Sequence, residues 1–213
     1  MIKTTTIRKI SQLLKEKEKI DYDIVSNIAT EVFDNVKENI FETIIVNSHV
    51  IKGNLIDLSI NVLGSGFNGK LIQTDDGFKI IIGNISKHLN DHQKLLKYIY
   101  SILVHEITHI SDIVDNKYLN EEPDDLKEYI NSENEKTAYT NQIVRECISY
   151  MNDLSPKLLT ERIQLNDGKN DFIVSEILKS SETFMEIKDI INNSFMLQLR
   201  KSIKYLLYKF LND

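Results

Sequence analysis

The stretch Ile102-Leu103-Val104-His105-Glu106-Ile107-Thr108-His109-Ile110 decides how the rest of this chain is read. It lies inside a longer run in which Leu95, Leu96, Ile99, Ile102, Leu103, Ile107, Ile110, Ile113 and Val114 recur at helical spacing, with no Pro or Gly between them. That period predicts one long helix, with Asn90 as its N-cap. Residues four apart share a helix face with their side chains about 6 Å apart, so His105 and His109 can reach one metal ion. Glu106 is offset by about 100° around the axis, which places it near such an ion without aiming it there. The pattern is H-E-x-x-H, the helical zinc signature in which the glutamate takes a proton from water. The pKa of that water falls from about 16 toward about 7 on zinc, so a carboxylate can complete its activation at neutral pH. Five His and sixteen Glu in 213 residues produce the pattern by chance about once in a hundred such chains. The apolar setting on a helix sharpens the match further.

A catalytic zinc takes three protein ligands and keeps one position open. The third must come from elsewhere in the chain. Glu135 is the first choice, with the small Ala138 three residues on, which allows a close helix approach, and Gln142 continuing its face. Glu133 competes from a different face, where it also suits the first turn of a helix. Asp115 is the other rival, ten residues after His105. Chains that use that position read H-E-x-x-H-x-x-G-x-x-H or a variant ending in Asp, and they need Gly where this one has Asp112. Asp112 either orients a ligand imidazole or is a solvated helix residue. Tyr118, Tyr129 and Tyr139 are near in sequence, and any one could serve an oxyanion or simply pack.

Outward from the motif the period changes. Residues 22–38 carry one apolar stripe (Ile24, Val25, Ile28, Ala29, Val32, Phe33, Val36) and residues 7–20 a weaker one, so both read as amphipathic helices. Residues 41–46 form a β-branched run. In residues 55–63, Ile56, Leu58, Ile60 and Val62 alternate with polar residues, which is a half-buried strand. Residues 71–73 and 78–82 flank the turn signal Asp75-Asp76-Gly77. Three or four strands, partly antiparallel, therefore precede the motif helix. Residues 116–130 read as a polar loop, 132–150 as a helix, and 157–213 as two or three more, the last over 196–211.

Composition narrows the class. Hydrophobic residues are 41% and charged residues 27%, with only seven Gly and two Pro, the balance of a helix-rich globular chain. One cysteine, Cys147, excludes an intrachain disulfide and Cys-based zinc or iron–sulfur sites, and a reducing compartment is the simplest setting. The first residues, Met1-Ile2-Lys3-Thr4-Thr5-Thr6-Ile7-Arg8, hold no apolar core or cleavage site for secretion. No window approaches the roughly 18 apolar residues of a membrane span. A net charge of −6 disfavours general nucleic-acid binding. The expectation is a cytoplasmic protein, in the host cytoplasm or the virion if viral, acting on protein or peptide and not on nucleic acid or membrane.

The motif resembles the zincin metallopeptidases, and a glutamate on a following helix resembles their gluzincin branch. A nearer likeness is to a group of small phage-type proteins that carry H-E-L/I-T-H-x-x-D and then Y-x-x-S-x-x-E-x-x-A-Y-x-N-Q-I. Here these read His105-Glu106-Ile107-Thr108-His109-Ile110-Ser111-Asp112 and Tyr129-Ile130-Asn131-Ser132-Glu133-Asn134-Glu135-Lys136-Thr137-Ala138-Tyr139-Thr140-Asn141-Gln142-Ile143. The resemblance covers residues 95–150 well and the basic C-terminal helix loosely. It implies Zn2+ held by His105, His109 and Glu135, with Glu106 as general base. Better-known gluzincins often place Asp four residues after the glutamate ligand, where this chain has Tyr139, so Asp112 is the carboxylate left for supporting a histidine. In zincins a strand ahead of the motif helix often lies at the cleft rim and pairs with extended substrate. Residues 78–82 occupy that place, although their isoleucines are equally explained by burial on both faces.

Other features are set aside. Gly64-Ser65-Gly66-Phe67-Asn68-Gly69 matches G-x-G-x-x-G, but a strand follows where a dinucleotide site needs a helix, so it reads as a flexible hairpin loop. His88 and His92 read as solvated, His49 has no role, and Cys147 reads as a small buried thiol. The final helix sets Arg200, Lys201, Lys204 and Lys209 opposite an apolar stripe and reads as core packing with a solvated basic face. The whole is expected to be an α+β, zincin-like domain over 1–213. Helices at 1–40 and 151–213 flank a central 41–150 segment, in which a small, partly antiparallel sheet packs on the H-E-x-x-H helix and on the helix bearing Glu135. The function expected is zinc-dependent peptide hydrolysis. The alternatives are a binding or virion-associated protein with a structural metal, and a metal-free helical adaptor.

Overall fold

Alternation along residues 54–62 becomes a strand because each apolar side chain finds the same buried face. Ile56, Leu58, Ile60 and Val62 are buried, while Asp57 is exposed and Ser59 and Asn61 are half-buried. The computed structural model describes residues 20–38, 43–51, 54–66, 68–115, 125–154, 156–165 and 170–212. These gather into two compact units, residues 20–115 and residues 125–212. The architecture is α+β.

The first unit opens with α1 (Tyr22–Glu38), followed by β1 (Thr43–Ile51), β2 (Asn54–Val62), β3 (Gly69–Thr74) and β4 (Gly77–Ile82). A 3-10 turn at Ile85–Lys87 then leads into α2 (His92–Val114), the motif helix. The strands form one mixed sheet in the order β1-β2-β4-β3. β1 pairs with β2 antiparallel, β2 with β4 parallel, and β4 with β3 antiparallel. The Asp75-Asp76 turn makes the β3–β4 hairpin, with Thr74 opposite Gly77. Gly77 has φ 150°, and a side chain there would run into the Asp57 carbonyl oxygen, so two constraints demand glycine.

One expectation changes here, and one open alternative closes. The Gly64–Gly69 segment is not a hairpin loop. It carries the chain from β2 past the place of β4 to the sheet edge, because β4 inserts between β2 and β3. Residues 78–82 are not a rim strand either, since β4 has a partner on each side and β3 forms the edge. One face of β4 (Phe78, Ile80, Ile82) is buried and Ile81 is half-buried on the other. The buried face joins β2, α1 and α2 in one core, to which Val25, Ile28, Val32, Ile99, Leu103 and Ile110 contribute. The helix expected over 7–20 lies outside the described residues apart from Ile20, which is buried.

The second unit is helical: α3 (Leu126–Ile130), α4 (Glu133–Asp153), α5 (Pro156–Leu165), α6 (Asn170–Lys179), α7 (Glu182–Ile187) and α8 (Asn193–Asn212). α3 falls within the stretch read as loop. It forms because the Asp125 carboxylate accepts from the Lys127 and Glu128 amides, a cap that stabilises even a short helix. Four helices follow α4 where two or three were expected, because Ser181 caps a further short one, α7. The stripe of α8 packs as the sequence implies. Phe195, Leu199, Ile203, Leu206 and Leu207 are buried with Ile143, Cys147, Ile173 and Ile177. Among the described residues no helix is long and apolar enough to cross a membrane.

Candidate metal centre

α2 begins one residue later than expected. Asp91, not Asn90, is the N-cap, and its carboxylate accepts from the amides of Gln93 and Lys94. Those bonds and the Lys94 ammonium hold its pKa below the ordinary aspartate value. From Ser101 to Asp112 every residue of the helix is buried, polar ones included. Burying ionisable groups is expensive unless they are paired or bind a metal, so this stretch is where the fold concentrates its chemistry.

His105 and His109 sit one turn apart and converge. Their Nε2 atoms are 3.1 Å apart and their rings meet edge-on with centroids at 4.8 Å. Two imidazoles on a tetrahedral zinc, each at about 2.0–2.1 Å, place their nitrogens about 3.3 Å apart, so the observed separation fits a shared ion. Glu135, in the first turn of α4 with its amide donated to the Ser132 hydroxyl at 3.4 Å, completes a group of three. One ligand atom from each residue lies within 4.8 Å of the others, and all three are buried. Two imidazoles and a carboxylate, buried and convergent, can hold a metal ion.

The rival ligands fall away on local geometry. Glu133 is 80% exposed and pairs with the Lys136 ammonium, as a first-turn carboxylate does. Asp115 is the C-cap residue of α2, half-buried and outside the group of three. Asp112 is only 2% exposed, which removes the solvated alternative for it. Tyr129 and Tyr139 pack against the core of the helical unit, and Tyr118 lies outside the described residues. Gln142 donates to the Thr183 hydroxyl at 2.9 Å, within the helical unit.

Glu106 is 5% exposed and does not belong to the group of three, in keeping with its offset around the helix. Its carboxylate lies against the backbone of Gly69, the first residue of β3. Sequence reasoning missed this neighbour by assigning Gly69 to the loop. The available signal was a glycine opening a strand, which marks close approach of another group. His92 is exposed and His88 half-buried, in keeping with the solvated reading, and each also has a ring neighbour. His88 precedes the Asp91 cap and stacks on Tyr98 at 4.2 Å, while His92 meets the Phe33 ring edge-on at 5.9 Å. The side chain of His49 is outside the described residues.

Cys147 is buried, with its Sγ 3.3 Å from the Ile177 carbonyl. Burial, with the neighbouring Glu146 charge, pushes the thiol pKa far above its ordinary range. It is a structural thiol and not a ligand. Compared with known proteins, the chain matches no family model, no curated protein and no solved structure.

Proposed function

We propose that this protein is a zinc-dependent peptidase built on a zincin-like fold of the gluzincin kind, with protein or peptide as substrate. The observation that carries the reading is the buried group His105, His109 and Glu135, set on the helix that presents Glu106. When bound, zinc supplies a Lewis acid that polarises the scissile carbonyl and acidifies water. His105 and His109 would hold it through their Nε2 atoms and Glu135 through a carboxylate oxygen. Glu106, next to one ligand but not itself one of the three, takes the proton of the attacking water. It then returns that proton to the leaving amine. Low exposure keeps its carboxylate from being screened by bulk solvent. Asp112 is the buried carboxylate on the same helix that can support a ligand imidazole.

Glu106→Gln is the test. The variant should keep its metal and lose about 10²- to 10⁴-fold in turnover of a peptide substrate, while equal cleavage by wild type and variant would falsify the assignment. One observation favours a second reading. The three ligands are 7%, 3% and 2% exposed, the depth of a metal retained for stability. If chelation unfolds the protein and a broad peptide screen shows no cleavage by the zinc-loaded form, the metal is structural and the protein binds a partner instead.

A further inference from the structure

A methyl group built on Gly69 would stand 2.5 Å from Glu106 Oε1, 3.4 Å from its carboxyl carbon and 2.7 Å from Ile102 Cγ2. Ordinary contacts between such atoms begin beyond 3 Å, so no side chain fits there while Glu106 and Ile102 hold their places. Conformation does not explain this glycine. The positive-φ glycines among the described residues are Gly66 and Gly77, so Gly69 is required only for the space it leaves.

The surroundings determine which side must yield if that space is filled. Gly69 pairs with Ile82 in the β3–β4 ladder. The Asn68 carbonyl accepts the Gly83 amide at 2.9 Å, and the Asn68 side chain accepts from Asn84 at 2.7 Å. Tyr98, two turns before Glu106 on α2, donates its hydroxyl to the Gly83 carbonyl at 2.9 Å. Tyr98, Ile102 and Glu106 are spaced i, i+4, i+8, so one stripe of α2 meets the start of β3 along its length. The backbone at Gly69 is thus tied on both flanks, and Ile102 is β-branched with little rotameric freedom. The Glu106 carboxylate, at the end of three rotatable bonds, is the part able to move.

We infer that Gly69 is a positioning residue: its missing side chain is the seat of the Glu106 carboxylate, and the edge strand thereby sets where the base stands. The inference rests on the reading of Glu106 as general base, but the contact itself can be tested without it. Four proteins are compared as full chains: wild type, Gly69→Ala, Glu106→Ala and the double variant. In metal-free urea unfolding, Gly69→Ala should lower the midpoint, and at least half of that shift should vanish when residue 106 is already Ala, because the obstructing carboxylate is gone. If Gly69→Ala alone fails to fold, the double variant should fold. An equal shift in both backgrounds, or failure of both variants to fold, overturns the inference.

The second arm uses zinc-loaded protein and a peptide substrate. Gly69→Ala should bind metal with wild-type stoichiometry and lose at least tenfold in kcat with KM within twofold. Added to Glu106→Gln, it should cause little further loss, because both changes act through one group. Coupling in urea with unchanged kcat shows a contact that does not position the base and overturns the inference. Coupling in urea with no turnover by wild type leaves Gly69 as the seat of Glu106 and removes the peptidase reading instead.

Discussion

Along α4, buried polarity is matched to a neighbouring helix. Gln142 donates to Thr183, and Glu146 receives the hydroxyls of Ser181 and Thr183 at 2.6 and 2.7 Å and the Thr183 amide at 3.2 Å. Along α2, the histidines instead turn toward each other, and the Glu106 carboxylate lies against a strand backbone. Both helices are long and both carry buried polar side chains, but among the described residues the ligand atoms that converge are those of His105 and His109 on α2 with Glu135 in the first turn of α4, not those of Gln142 and Glu146. The first arrangement secures a helix start, since Glu146 and Ser181 hold the opening turn of α7. The second resembles a ligand set. Burial of polar groups is therefore not enough to mark a site. Convergence is the discriminating feature.

The largest effect should come from breaking that convergence. Glu135→Ala should abolish stoichiometric zinc binding, read by metal analysis of purified protein, whereas Asp115→Ala should retain it. The opposite result would move the third ligand to the end of α2. Next in size is a blow to the apolar core of the helical unit. Phe195 is fully buried among α4, α6 and α8 residues, so Phe195→Ala should cost about 3–5 kcal/mol in urea unfolding. The metal content per folded chain should not change. A loss of less than 1 kcal/mol would mean that this core is not the one described.

The smallest effect concerns Cys147 and pH. Its folded pKa is raised by burial, so the thiol stays protonated in the native state while the unfolded chain ionises near about 8.5. The thiol's contribution to stability is whole below that value and declines as pH climbs above it. Cys147→Ala should flatten the alkaline limb of a stability–pH profile, and native protein should resist alkylation at pH 8 until denaturant is added. Rapid alkylation of native protein would show that the thiol is not sealed in the core.

Much of this was legible in the chain because it is local. The stripe of α1, the alternation in β2, the Asp75-Asp76-Gly77 turn and the apolar face of α8 each follow from a period of a few residues, and each appears where the period places it. Some misreadings were local, as where the Asp125 and Ser181 caps start short helices, but those that matter for the sheet come from pairing between distant segments. Nothing near residues 64–69 reveals that β4 will insert between β2 and β3, so a crossover looked like a hairpin. The same insertion closes the open choice for residues 78–82, which form an interior strand and not the rim. The ring partners of His88 and His92, Tyr98 and Phe33, are likewise identified only by packing, while His92 stays exposed as its sequence setting implies.

The sequence by itself determined the pair of histidines, since residues four apart on a helix must share a face whatever surrounds them. It also determined the offset of Glu106 from that face. Only the tertiary structure separates the three candidate carboxylates, because Glu135 is buried and grouped with the histidines while Glu133 is exposed and Asp115 caps α2, a difference of surroundings and not of chemistry. The tertiary structure also turned Gly69 from a loop residue into the neighbour of Glu106. That contact joins residues 37 apart through the stacking of an edge strand on a helix, and no local period encodes it.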